Sequence, residues 1–250
     1  MKFIGIIPAR YASTRFPGKP LAEICGKTVI RRVYEQASKA LDTVVVATDD
    51  ERIYNDVESF GGKVVMTRPD HKCGTDRCLE AYLAITTPTW REQNNAETVV
   101  INIQGDEPFI QPEQIEELMD CFNQPDTDIA TLVQPFAGKD GKEAIENPNS
   151  PKVDWDIESA RAKMFSRKVI AASDGKYYKH IGIYAYRADV LAKITTLPQS
   201  PLEIAERLEQ LRWLENGYTI RVGVTSQSTI GIDTPEDLQK AIEWYKYNGD

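Results

Sequence analysis

Arg10, Ser13, Thr14, Arg15 and Lys19 crowd one short stretch of this chain, residues 8–20, which reads Pro-Ala-Arg-Tyr-Ala-Ser-Thr-Arg-Phe-Pro-Gly-Lys-Pro and directly follows the apolar run Phe3–Ile7. A guanidinium group offers phosphate a bidentate fork, an ammonium offers a point charge, and the backbone of a Pro/Gly-punctuated loop adds N–H donors. No acid occurs before Glu23, although the 250-residue chain carries a net charge of −8. A loop of this kind at the end of a strand reads as a phosphate cradle, which makes a nucleotide the first ligand to consider. The plainer reading is a solvated loop with ordinary surface cations; three cations without an acid, on so acidic a chain, weigh against it. Two other cradles are excluded. Gly26-Lys27-Thr28 ends as a Walker A loop does, but Leu21 stands where its first glycine belongs, and no G-x-G-x-x-G occurs.

Four other segments bear groups capable of chemistry. Gln104-Gly105-Asp106-Glu107-Pro108 follows the apolar run Thr98–Ile103. Gly105 permits close backbone approach and Pro108 stops the strand, which leaves Asp106 at the carboxyl edge. An acid there can hold Mg²⁺ together with substrate phosphates, or cap a turn. Asp233, in Gly231-Ile232-Asp233-Thr234-Pro235, stands just before a helix and suits an N-cap as well as a metal ligand. In Lys179–Arg187, strand alternation puts His180, Gly182, Tyr184 and Tyr186 on one face, a polar aromatic surface for a sugar-like ligand, although a lone histidine is more often structural. Glu209 and Gln210 fall among Ile204, Leu208, Leu211 and Leu214, which have core-facing helical spacing; the two polar residues act only if their face reaches a cleft.

These groups need a scaffold. Strands are expected at Phe3–Ile7, Thr43–Ala47, Lys63–Thr67 and Thr98–Ile103, alternating with helices Thr28–Ala40, Glu51–Phe60, Asp76–Ile85 (with Thr75 as N-cap) and Gln111–Phe122. Uninterrupted apolar strands separated by helices predict an α/β fold with a mainly parallel sheet covered on both faces, and ligands of such sheets sit beyond the carboxyl ends of the strands. The second half has longer, Pro/Asn/Asp-rich connections. Ile129–Phe136, His180–Tyr186 and Thr219–Val224 are expected strands, Leu202–Leu214 a single helix and Pro235–Tyr247 a closing helix. Residues 1–250 read as one domain, with about 135–215 forming an inserted substrate and dimerisation layer.

Composition narrows the class. A hydrophobic fraction of 41% supports a packed core, and no apolar run is long enough to span a bilayer. The first residues form a strand-like run rather than a signal peptide, so a cytoplasmic location is expected. The acidic balance disfavours nonspecific binding to nucleic acid. Cys25, Cys73, Cys78 and Cys121 lack metal-site spacing and are expected to be reduced thiols.

Taken together, the motifs resemble the CMP-Kdo synthetases, the 3-deoxy-manno-octulosonate cytidylyltransferases. The likeness runs nearly end to end through IPARYASTRFPGKPL (7–21), VVATDDERI (45–53), MTRPDHKCGTDR (66–77), INIQGDEPFI (101–110), ENPNSPKV (146–153), FSR (165–167), KHIGIYAYR (179–187), QSPLE (199–203), LEQLRWLENGY (208–218) and GIDTPEDL (231–238). The resemblance implies a Rossmann-like fold, usually dimeric, and a reaction. CTP and the sugar acid Kdo give CMP-Kdo and pyrophosphate with Mg²⁺, and the product feeds lipopolysaccharide assembly. On matching positions, Arg10, Ser13, Arg15 and Lys19 would hold the CTP phosphates. Ala9 and Gly74-Thr75-Asp76-Arg77 would help form the cytidine and sugar pocket. Asp106 and Asp233 would coordinate Mg²⁺, with Lys19, Arg10 and these two acids as the catalytic set. Gln104, Arg167, His180, Tyr184, Glu209 and Gln210 would contact the sugar acid.

The chain departs from the family pattern in places. Cys73 replaces the usual Ser, Val153–Met164 is polar for a strand pair, and the stretch after Arg167 is shorter than usual. The competing readings are a cytidylyltransferase for 8-amino-Kdo or sialic acid and a non-catalytic nucleotide sensor. A thiol-redox protein would need paired cysteines or a dinucleotide loop.

Overall fold

A computed structural model of the chain describes residues 1–136, 141–228 and 230–249; the start of the stretch from Gly138 to Ile157 lies outside them. The chain forms two compact units, Met1–Ile115 with Thr229–Asp250, and Glu116–Ser228.

The first unit is built on parallel strands. β1 (Lys2–Ala9) is followed by a short hairpin of β2 (Glu23–Ile24) and β3 (Lys27–Thr28). α1 (Val29–Ala40) starts where the Thr28 side chain accepts from the Arg31 N–H, so Gly26-Lys27-Thr28 makes a hairpin and a helix cap and not a phosphate loop. Then come β4 (Val44–Thr48), α2 (Glu51–Ser59) capped by Asp50, β5 (Val64–Met66), α3 (Gly74–Ile85), α4 (Pro88–Asn94) and β6 (Thr98–Asn102). Every residue of β4 and β6 is buried, as expected for strands covered on both faces. The spatial order is β5-β4-β1-β6, all parallel. After β1 the chain builds outward through β4 and β5, then returns to place β6 on the other side of β1. That reversal is a topological switch point, where the loops after β1 and β6 leave a crevice at the carboxyl edge.

α5 (Pro112–Asp120) leads out of this unit, and residues beyond 228 re-enter it. The returning C-terminal helix, Pro235–Asn248, closes a small separate core in which Ile24, Val29, Phe109, Ile232 and Ala241 are buried and Phe16, Leu238 and Tyr245 pack against them. This core lies under three functional segments at once, because Phe16, Phe109 and Ile232 each flank one of them.

The second unit contains β7 (Ile129–Pro135), α6 (Gly141–Glu146), β8 (Lys152–Asp156), β9 (Arg161–Ser166), β10 (Tyr178–Arg187), α7 (Ala188–Ile194), α8 (Pro201–Glu206), α9 (Gln210–Glu215) and β11 (Ile220–Val224). Its strands run β10-β7-β11-β9-β8, with β8 also meeting β10. Among the described residues of this unit only β11 and β7 pair in parallel, and antiparallel pairing dominates. The polar stretch Val153–Met164 is a true strand pair, β8–β9, in which exposed and covered positions alternate from Arg161 to Met164.

Two expectations about helices are corrected. Leu202–Leu214 is not one helix: α8 ends at Arg207, whose φ of +55° puts it in the left-handed region, and α9 starts afresh at Gln210. Ile204 is consequently 62% exposed and does not continue the buried row of Leu208, Leu211 and Trp213. Thr75 does not cap α3 either. The helix begins at Gly74 with Cys73 in the N-cap position, and Thr75 is buried in the first turn.

Candidate active site

The switch point of the first unit carries a cavity of about 300 Å³. Three segments distant in sequence converge on it. Gly105 lets two of them touch: a Cβ there would stand 2.8 Å from the Pro8 carbonyl oxygen, so the loop after β6 lies directly against the loop after β1 only because this residue has no side chain. The third arrives through the Ile232 N–H, which donates to the Asp106 carbonyl at 2.8 Å.

The loop after β1 is folded on itself by bonds from the Ser13 and Gly18 N–H groups to the Tyr11 carbonyl, both 2.9 Å. Gly18, at φ +73°, makes the turn into a short 3₁₀ segment, Lys19–Leu21. Ala9, Arg10, Ser13, Arg15 and Lys19, all expected at the nucleotide, line the cavity. Arg10 is exposed and has no carboxylate partner among the described residues, so its guanidinium is available to an anion.

Lys19 lies between the two expected metal acids. Its Nζ is 2.5 Å from Asp106 and 3.3 Å from Asp233, and Arg15 meets the same Asp233 oxygen at 2.9 Å. Of the two roles considered for Asp233, the cap falls to its neighbour. Thr234 is the N-cap, in a reciprocal capping box with Asp237, which also accepts from the Asp233 N–H. That frees the Asp233 carboxylate to enter the cavity. An ammonium bridging two carboxylates marks a point where positive charge is favoured, and the donors are all oxygen, which suits Mg²⁺. Among the described residues no cluster of three or more His, Cys, Asp or Glu is placed to hold a metal, so a divalent ion here would complete its shell with phosphate oxygens and water.

The far wall comes from the start of α3. Gly74 lines the cavity, and a Cβ on it would press the Pro8 ring at 3.3 Å. Arg77 also reaches the wall, but its guanidinium is tied to Asp49 at 3.0 Å and to the Thr67 hydroxyl at 2.5 Å, which makes it an anchor of the wall. Thr75 faces the interior and is not part of the lining. Thr14, the second hydroxyl of the cradle loop, lines the cavity as well, and so do His71, Lys72 and Cys73, which were not selected from the sequence. His71 and Cys73 stand inside the quoted motif beside Gly74, and that adjacency was the available signal. Asp49, at the carboxyl end of β4, carried the same strand-end signal as Asp106.

Of the expected sugar contacts, Gln104 lines the cavity of the first unit. The other five belong to the second unit. His180, Tyr184 and Tyr186 form a ladder on β10, with ring centroids 5.3 and 6.1 Å apart, despite an irregularity in the β10–β7 register between Ile181 and Tyr184. Trp213 packs edge-on against both tyrosines. The single hydroxyl hydrogen of Thr131 is drawn to the Ile183 carbonyl at 2.8 Å, so His180 Nε2–H donates to Thr131 Oγ1 at 3.0 Å. Burial, with a smaller contribution from Lys179, pushes the His180 pKa down to about 3, and the ring is neutral at pH 7. Burial also raises the Tyr184 phenol well above its ordinary value, and the Glu209 charge adds to this.

Glu209 stands at the N-cap of α9, where Arg212 holds its carboxylate at 2.8 Å. Gln210 Nε2 and Trp213 Nε1 are buried without a partner among the described residues. Arg167 is strongly engaged: its side chain donates to the carbonyls of Pro148, Glu206 and Arg207.

A family model described as Cytidylyltransferase matches residues 4–221. The 3-deoxy-manno-octulosonate cytidylyltransferase of Phocaeicola vulgatus is 59% identical over 98% of this chain and 98% of its own. The protein of the same name from Parabacteroides distasonis is 58% identical over 97% of each. A solved structure of CMP:2-keto-3-deoxy-manno-octonic acid synthetase complexed with CTP shares 39% identity at a TM-score of 0.87 and covers 99% of both chains. A cytidylyltransferase from Leptospira borgpetersenii, at 17% identity and a TM-score of 0.60 over 99% of this chain and 95% of its own, shares the fold. Matched by the family model over most of its length and similar to named members from end to end, this chain belongs to the cytidylyltransferase family.

Proposed function

We propose that this chain transfers CMP from CTP to the anomeric hydroxyl of 3-deoxy-D-manno-octulosonate (Kdo), releasing pyrophosphate and forming CMP-Kdo for lipopolysaccharide assembly. The observation that carries the reading is the cavity at the switch point, lined by Arg10, Arg15, Lys19, Asp106 and Asp233, in which Arg15 and Lys19 meet the two acids. The names of the relatives specify the base and the sugar acid.

The reaction brings two anions together and builds charge on a leaving pyrophosphate. Arg10, Arg15 and Lys19 bind the triphosphate and stabilise that charge at fixed positions. Ser13 and the folded backbone around it add donors to the phosphates. Gly105 and Gly74 let the loop after β6 and the start of α3 pack against Pro8, which closes the wall around the nucleotide. Asp106 and Asp233 would hold Mg²⁺, which when bound supplies charge neutralisation and a lowered hydroxyl pKa. The His180 ring, Tyr184, Glu209, Gln210 and Arg167 contact the sugar acid, and the unpartnered donor of Gln210 suits its carboxylate or hydroxyl oxygens. The hydroxyl attacks the α-phosphorus in line, and its proton leaves to Asp106 or to water. The segment about 135–215 serves as the substrate and dimer layer of a cytoplasmic homodimer.

A pyrophosphate-release assay pairing CTP, UTP and ATP with Kdo, 8-amino-Kdo and sialic acid tests the reading. CTP with Kdo should be the fastest pair and should stop when EDTA is added. Faster turnover of another pair would change the substrate, and no release from any pair would leave a nucleotide sensor.

A further inference from the structure

The segment Thr67–Cys73 joins β5 to α3 and brings His71, Lys72 and Cys73 to the cavity wall. What holds it is the face of α3. Near its start, the Arg77 guanidinium donates to the Thr67 hydroxyl at 2.5 Å. Its middle is gathered by one carboxylate, Glu80. Both Glu80 oxygens lie 3.2 Å from the Arg68 backbone N–H, and one of them meets His71 Nε2. The Arg68 side chain adds a looser pairing at 3.6 Å, but it is 68% exposed and contributes little. The His71 contact is of another kind, since that side chain is only 6% exposed and is bonded to a charged acceptor. Because Glu80 engages one ring nitrogen, the imidazole has one orientation against the wall. α3 is itself fixed, with Cys78, Ala81 and Tyr82 in the core, so Glu80 passes the rigidity of the helix to the loop.

We propose that Glu80 is a positioning residue for the nucleotide: its carboxylate sets the His71–Cys73 wall and thereby the fit of CTP in the cavity. The proposal rests on the reading of this cavity as the nucleotide site and adds to it a residue that touches no substrate.

The test uses the whole enzyme and the variants Glu80→Ala, Glu80→Gln and His71→Ala, with steady-state kinetics, calorimetric titration of CTP alone, and thermal unfolding. Loss of charged hydrogen bonds to the wall should raise both the CTP Kd and the KM for CTP about tenfold in Glu80→Ala. The KM for the sugar acid should stay within about twofold, as expected for a site that does not share these contacts. Glu80→Gln keeps one acceptor oxygen and should recover part of the loss. His71→Ala placed on Glu80→Ala should add less than the two single effects combined. An unchanged CTP affinity overturns the proposal, as does an equal rise in both KM values together with a fall in Tm, which would mark a merely structural acid. If Glu80→Ala does not fold, Glu80→Gln is judged by the same criteria. If the wild type binds CTP but turns over no sugar acid, the proposed function falls while the Kd ratio still decides on Glu80. If it binds no CTP, both readings fall.

Discussion

At Lys19 one ammonium group serves two carboxylates, 2.5 Å from Asp106 and 3.3 Å from Asp233. Asp106→Asn keeps the shape and removes the charge, so turnover should fall by about 100-fold or more while far-UV circular dichroism stays unchanged; near-normal Mg²⁺-dependent activity would refute the role given to this acid. Cys73 supplies a chemical probe of the same cavity. It lines the wall and is partly accessible, whereas Cys78 and Cys121 are buried and burial pushes the Cys121 thiol up to about 11. Iodoacetamide should therefore label Cys73 and the exposed Cys25, and saturating CTP should slow labelling at Cys73 alone; mass spectrometry of each peptide with and without CTP is the check. Much at this scale was legible. Arg10, Arg15, Lys19 and Asp106 announce themselves because strand-end loops concentrate unpaired charge. Asp233 was ambiguous, because local rules cannot separate a cap from a ligand; its partners Arg15 and Lys19 lie at the other end of the sequence. Arg77, three residues past Gly74 in the same motif, lines the cavity and is also anchored to Asp49 and Thr67, partners that the motif alone does not reveal.

The C-terminal helix delivers Asp233 through its cap. Thr234→Ala removes one half of the capping box and should cost about 1 kcal/mol of stability, measured by denaturant unfolding. It should also lower kcat, because Asp237 holds the backbone N–H groups of both Thr234 and Asp233; a stability loss with kcat untouched would separate the cap from the site. The elements most readable from sequence were the parallel strands, whose consecutive apolar residues admit only a sheet covered on both faces. The break at Arg207 was not readable. Ile204, Leu208, Leu211 and Leu214 keep helical spacing across it, and only the left-handed residue between α8 and α9 ends the first helix. The N-cap position of α3 was misread for a related reason: Thr75 is the better capper by type, but Cys73 occupies the cap position and leaves Thr75 to the interior.

For the whole molecule, acid stability should reflect His180. Its pKa is near 3 when folded against an ordinary value of 6.5, so below about pH 6.5 the unfolded chain takes up a proton that the native chain refuses. The stability tied to the neutral ring is present above pH 6.5 and lost progressively toward pH 3. Wild type minus His180→Gln, by chemical unfolding at several pH values, should show this slope; parallel curves would contradict it. The order β5-β4-β1-β6 has a further consequence for how the protein is made. The loop after β1 and the Asp106 loop leave the ribosome in the first half of synthesis, whereas Asp233 follows only after the second unit has been translated. Until then Lys19 has one of its two acids, and Phe16 and Phe109 lack the core that Ile232 and Ala241 complete. A nascent chain thus lacks the complete cavity until its last segment docks, and a chain terminated before Asp233 is expected to release no pyrophosphate.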